Sequence, residues 1–217
     1  MHIRRVSAIL AAAAAALLFA VPKPVFAQQP GTIDLTAGAG VGLPTGSLAD
    51  VSDLGPAFLF AADYGVSPGL AIRGGVGAEV FESITATGGE GPTVRLFRLT
   101  VGPSVTLVSS AEETGLRLRA RGGIGGTAFT AGRTLVGTGS NVRAIDFTEV
   151  YLALDGGVDA VYAFSPSVGA YLSAGASVSF AAEEDMEVFT FLAPEVEAFS
   201  SVVSVPITAG VRLTFPR

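Results

Sequence analysis

Twelve charged side chains stand singly in segments otherwise made of apolar and small residues. They are Asp34, Asp63, Arg73, Glu79, Arg98, Arg117, Arg119, Arg121, Glu149, Asp155, Asp159 and Arg212. Carboxylates and guanidinium groups at such spacing can do two kinds of chemistry. A carboxylate pair such as Asp155 and Asp159 can move a proton, and acids beside arginines can form ion pairs. The first needs more than this chain offers. It has no Cys, its only His is His2 and its only Lys is Lys23, so the usual bases and activated nucleophiles are missing from residue 24 onward. Six bases against six acids fit the second, because charges taken out of water need partners. The reading is a structural ion-pair network of these twelve residues, with no catalytic, cofactor or metal site.

Arg117, Arg119 and Arg121 alternate, which puts them on one face of a β-strand. Period-two alternation recurs eight times and predicts strands at 32 to 43, 57 to 66, 69 to 82, 94 to 108, 116 to 130, 148 to 164, 168 to 182 and 202 to 215. Glu149, Asp155 and Asp159 share a face of the sixth, so the acidic column meets the arginine column of the fifth, with Arg121 and Asp159 in direct or diagonal contact. The connections at 67–68, 109–115 and 165–167 are short. Those at 44–56, 83–93, 131–147 and 183–201 are long.

Residues 1–27 read as a cleavable export signal: Arg4 and Arg5, an apolar run from Val6 to Val21, then Val25-Phe26-Ala27 before Gln28. The apolar run is short for a spanning helix. Residues 28–217 then form one domain, which keeps all 19 acidic residues but loses Arg4, Arg5 and Lys23 from the 13 basic ones. That acidic balance excludes nucleic-acid binding. Charged residues are 15% of the chain, against about 25% in soluble domains, and the mean hydropathy is +0.56. Much of the surface therefore avoids water, yet Gly, Ser, Thr or a charge interrupts every apolar run after the signal. A closed β-barrel is the remaining way to cross a membrane.

One face of every strand is apolar and free of charge, for example Phe58-Phe60-Ala62-Tyr64-Val66 and Phe97-Leu99-Val101-Pro103-Val105-Leu107. The other face holds Gly, Ser, Thr, Ala and the twelve charges. A lipocalin-like soluble barrel turns its apolar face inward and needs many charges, Lys included, outside. Small residues suit the lining of a narrow eight-stranded lumen instead, so the apolar face is assigned outward. Tyr64, Tyr162, Phe164 and Phe215 fall near the short turns, and Phe58, Phe97 and Phe180 near the long loops, as two interfacial girdles. Gly38 to Gly42 and Gly122 to Gly126 lie inside strand pattern, with no helix start to make them phosphate loops. The loop with Glu183, Glu184, Asp185, Glu187, Glu195 and Glu197 lacks the spacing of a calcium loop and reads as solvated, with an apolar interior at Val188 to Leu192.

With its signal, eight strands, three short turns and four long loops, the chain resembles the OmpA-like family of small outer-membrane barrels. Val211-Arg212-Leu213-Thr214-Phe215 resembles that family's C-terminal assembly signal, although Pro216-Arg217 follow it. The resemblance implies an all-β fold, an eight-stranded antiparallel up-and-down transmembrane barrel in the bacterial outer membrane. The partners it implies are outer-membrane lipids and lipopolysaccharide, the barrel-assembly machinery during insertion, and an extracellular ligand on the long loops. The leading expectation for function is a structural or surface-interaction role. A narrow channel for ions or small, even hydrophobic, solutes is the alternative, and a lipid-modifying enzyme a more distant one, since such barrels resemble one another in using an active-site His.

Overall fold

The computed structural model describes residues 29–50, 52–84, 90–110, 114–136, 143–180 and 201–215. The export signal, most of the acidic loop and Pro216-Arg217 lie outside them. Eight strands follow one another: β1 (Ile33–Thr45), β2 (Gly55–Ser67), β3 (Leu70–Ile84), β4 (Glu90–Ser109), β5 (Gly115–Val136), β6 (Arg143–Ala163), β7 (Val168–Phe180) and β8 (Ser201–Phe215). Each pairs antiparallel with the next, and β8 pairs with β1 to close the barrel. A 3₁₀ turn, Gly46–Leu48, follows β1.

Alternation sets which way each side chain points. Along β4, Leu99 is 65% exposed while its neighbour Arg98 is 8% exposed, so the apolar face is outside and the charge inside. Phe60, Ile72, Ile124, Leu152 and Val211 continue the outer belt on other strands. Tyr64, Tyr162, Phe164 and Phe215 are exposed at the rim of the short turns, with the Tyr162 and Phe164 rings edge to face at 5.4 Å. Phe58, Phe97 and Phe180 are exposed toward the other rim. Such a surface is stable against lipid and not against water. At the short-turn rim, Gly69 closes the β2–β3 hairpin at φ 81°, a conformation that costs Gly little.

The sheet departs from the sequence reading in three ways. β5 and β6 run on to Val136 and back from Arg143, so most of the stretch expected as a 131–147 loop is strand, paired from Ala131↔Phe147 to Val136↔Arg143. Thr134-Leu135-Val136 and Arg143-Ala144-Ile145 lack both a clean alternation and the long apolar run that marks the belt. Second, the β4–β5 register shifts between Thr106 and Val108, which puts Val108 on the outer face at 51% exposure where Leu107 was expected. An extra residue on one strand reverses the alternation beyond it. Third, the inner face is not uniformly small and polar: Phe81, Val94, Leu96, Phe129 and Val202 point into the lumen and are 2% exposed or less.

Candidate functional site in the barrel lumen

The inner charges come from strands on every side of the barrel. Asp34 sits directly across from Asp63 on β2, and Asp63 across from Arg73 on β3. Arg119 stands opposite Asp159, while Arg121 stands opposite Gly157 and so between Asp155 and Asp159 along β6. This register creates diagonal rather than head-on pairing for Arg121.

Four bases and four acids join in one continuous chain of ion pairs across the lumen. Arg212 binds Asp34, which also lies 3.7 Å from Arg119. Arg119 reaches Asp63 at 3.0 Å, and Asp63 meets Arg73 at 3.4 Å. Arg73 then crosses to Asp159 at 2.7 Å, Asp159 lies 3.3 Å from Arg121 Nε, and Arg121 Nη1 ends the chain on Asp155. Thr214 donates to Asp34 at 2.7 Å and Arg121 to Ser173 at 3.4 Å. Asp34 and Asp63 are fully buried, so their charge is balanced by these arginines rather than by water.

Room for the guanidinium of Arg121 comes from glycine. A Cβ on Gly175 would stand 2.7 Å from Arg121 Nη2, and one on Gly157 3.1 Å from it, so side chains at either position would displace the arginine.

Nearer the long loops the lumen changes character. Arg98 binds Glu79, which also accepts from Ser204 at 3.2 Å, and no other ion pair joins this one to the longer chain among the described residues. Above it lies an apolar layer of Phe81, Phe129, Val94, Leu96 and Val202, with Leu48 of the 3₁₀ turn reaching in from the loop after β1; each is 2% exposed or less. Side chains of this size crowd the lumen at that level.

The structure thus brings ten of the twelve sequence-selected residues into ion pairs. Arg117 lies half-buried at the short-turn rim between Ser109 and Val161, within electrostatic reach of Arg212 and Asp34. Glu149 is a correction: it keeps the inner phase, opposite Phe129, but is exposed. Its strand has by then risen past the apolar layer, where a carboxylate is hydrated and needs no partner. The apolar layer itself escaped the sequence reading. Its signal was adjacent apolar residues at the strand ends, as in Val80-Phe81, Leu96-Phe97 and Val202-Val203, where one must face inward.

Closed sheet, outward apolar belt and filled lumen define the class: an eight-stranded transmembrane β-barrel of the outer-membrane type. Among solved structures, a major outer membrane protein from Thermus thermophilus is similar with a TM-score of 0.56 at 15% identity, covering 85% of this chain and 99% of that one. Neisserial surface protein A is similar with a TM-score of 0.54 at 16% identity, over 85% and 97% of the two chains. Ail, the attachment invasion locus protein of Yersinia pestis, is similar with a TM-score of 0.51 at 12% identity, over 86% and 100%. These likenesses are in fold. No protein-family model matches the chain. No curated protein matches it in sequence.

Proposed function

We propose that this chain is an OmpA-like barrel of the bacterial outer membrane with a structural or surface-interaction role, and that its lumen is a plug rather than a pore. The observation that carries the reading is the chain of eight charges crossing the lumen beneath a buried apolar layer. In this reading the belt contacts lipid and lipopolysaccharide, the short turns face the periplasm and the long loops face outward. The long loops are then the surface on which an extracellular ligand binds. Two of the similar structures carry names that speak of the surface or of attachment, which supports that use of the fold.

Single-channel recording on refolded protein in planar bilayers tests it. The expected result is no steady open level; a reproducible conductance step would replace the plug with the narrow channel. Outer-membrane fractionation, with anomalous migration of unboiled samples on gels, tests location. A water-soluble monomer folded without detergent would overturn it. Release of acyl chains from lipopolysaccharide would instead make the barrel a lipid-modifying enzyme.

A further inference from the structure

Between the long ion-pair chain and the separate Arg98–Glu79 pair the lumen keeps a cavity of about 30 Å³. Three arginines, Arg73, Arg98 and Arg121, line it against one carboxylate, Asp155. Two further features point into chemistry rather than packing. Arg73 uses Nη1 on both Asp63 and Asp159, while its Nη2 has no hydrogen-bond partner among the described residues. Ser177 Oγ, on the same cavity wall, has none either. Arg73 is 6% exposed and Ser177 3%, so bulk water does not serve these donors, and buried donors of this kind call for a partner, either an ordered water or an ion.

Both groups can donate, whereas Arg98 and Arg121 and the Nη1 of Arg73 are already spent on Glu79, Asp155, Asp159 and Asp63. A cation is disfavoured because the two unspent groups offer it an N–H donor and a hydroxyl rather than a carboxylate. A large anion such as sulfate is disfavoured by size, since about 30 Å³ accommodates roughly one or two water-sized bodies. Arginine-lined constrictions are the general way a lumen selects negative charge. We infer that this cavity is a binding site for a small monovalent inorganic anion of halide size, held by Arg73 Nη2 and Ser177 Oγ.

Bromide is the probe, because it scatters anomalously and water does not. Crystals of the refolded barrel exchanged into bromide are expected to show an anomalous peak between Arg73 and Ser177. In solution, replacing gluconate by chloride at constant ionic strength is expected to raise the unfolding temperature. Arg73→Lys keeps the positive charge but removes Nη2, and Ser177→Val removes the hydroxyl and fills the space. Each is expected to weaken the chloride effect at least tenfold in concentration and to abolish the bromide peak. If one variant fails to fold, the other decides, and the bromide measurement on the unmutated protein needs neither. Water alone in the cavity, bromide sites that both variants leave intact, or a midpoint that follows ionic strength only would overturn the inference. A conducting barrel would defeat the plug reading without touching the anomalous peak, so the two failures are distinguishable.

Discussion

The two halves of the lumen are filled by opposite means. Toward the short turns, eight charges from six strands share partners in one chain. Toward the long loops, a lone Arg98–Glu79 pair sits under Phe81, Phe129 and their apolar neighbours. The difference is one of tolerance. A shared network leaves a second charge stranded whenever one member goes, whereas a lone pair can leave as a unit and an apolar layer accepts any side chain of similar volume.

The largest effect is expected at Asp63, which holds both Arg73 and Arg119. Asp63→Ala takes one carboxylate from each of two arginines, leaving Arg73 with Asp159 alone and Arg119 with Asp34 at 3.7 Å, and should cost about 3–5 kcal/mol, read from the urea midpoint of the refolded barrel. An equally small loss from Asp63→Ala and from an exposed substitution would mean that water reaches the network. Next comes coupling: in a double-mutant cycle of Asp159→Ala and Arg121→Ala, an interaction energy of about 1–3 kcal/mol is expected. Recovery should be partial, because Arg73 also depends on Asp159. Strict additivity would contradict the shared chain.

Smaller effects belong to the long-loop half. Phe129→Leu should cost less than about 1.5 kcal/mol, while admission of a small dye into the lumen on that change would show the layer to be a fitted gate. Smallest of all is the joint exchange Arg98→Met with Glu79→Leu, expected within about 1 kcal/mol of the unmutated protein, since apolar replacement of a whole buried pair is often neutral or stabilising. A loss as large as that of Asp63→Ala would erase the distinction between the halves.

Strand order, closure and facing were legible because one periodicity carried all three: Arg98 and Leu99 differ by one position and by the side of the wall they occupy. The candidate network was legible as a set, from charges in one phase on many strands. Its wiring was legible only in part. Arg121 does meet Asp159, but diagonally, because Arg119 stands opposite it, and a shift of two residues in a long hairpin leaves the alternation unchanged. Contacts across the lumen, such as Arg73 with Asp159, depend on how eight registers sum around the closed sheet. The apolar layer was hidden for a different reason. Apolar residues serve equally against lipid and against one another, so Phe81, in the inner phase beside Val80, carried no mark of its own in the sequence.

Asp34 is on the first strand, and two of its side-chain partners, Arg212 and Thr214, are on the last, 178 and 180 residues away in sequence. That places a charged clasp at the one seam a growing sheet cannot form until every other strand is in place. Before closure, Asp34 lacks its β8 partners and the edges of β1 and β8 carry unpaired backbone groups, both costly in hydrocarbon. After closure both penalties vanish together. The clasp therefore favours the finished ring over any barrel left ajar.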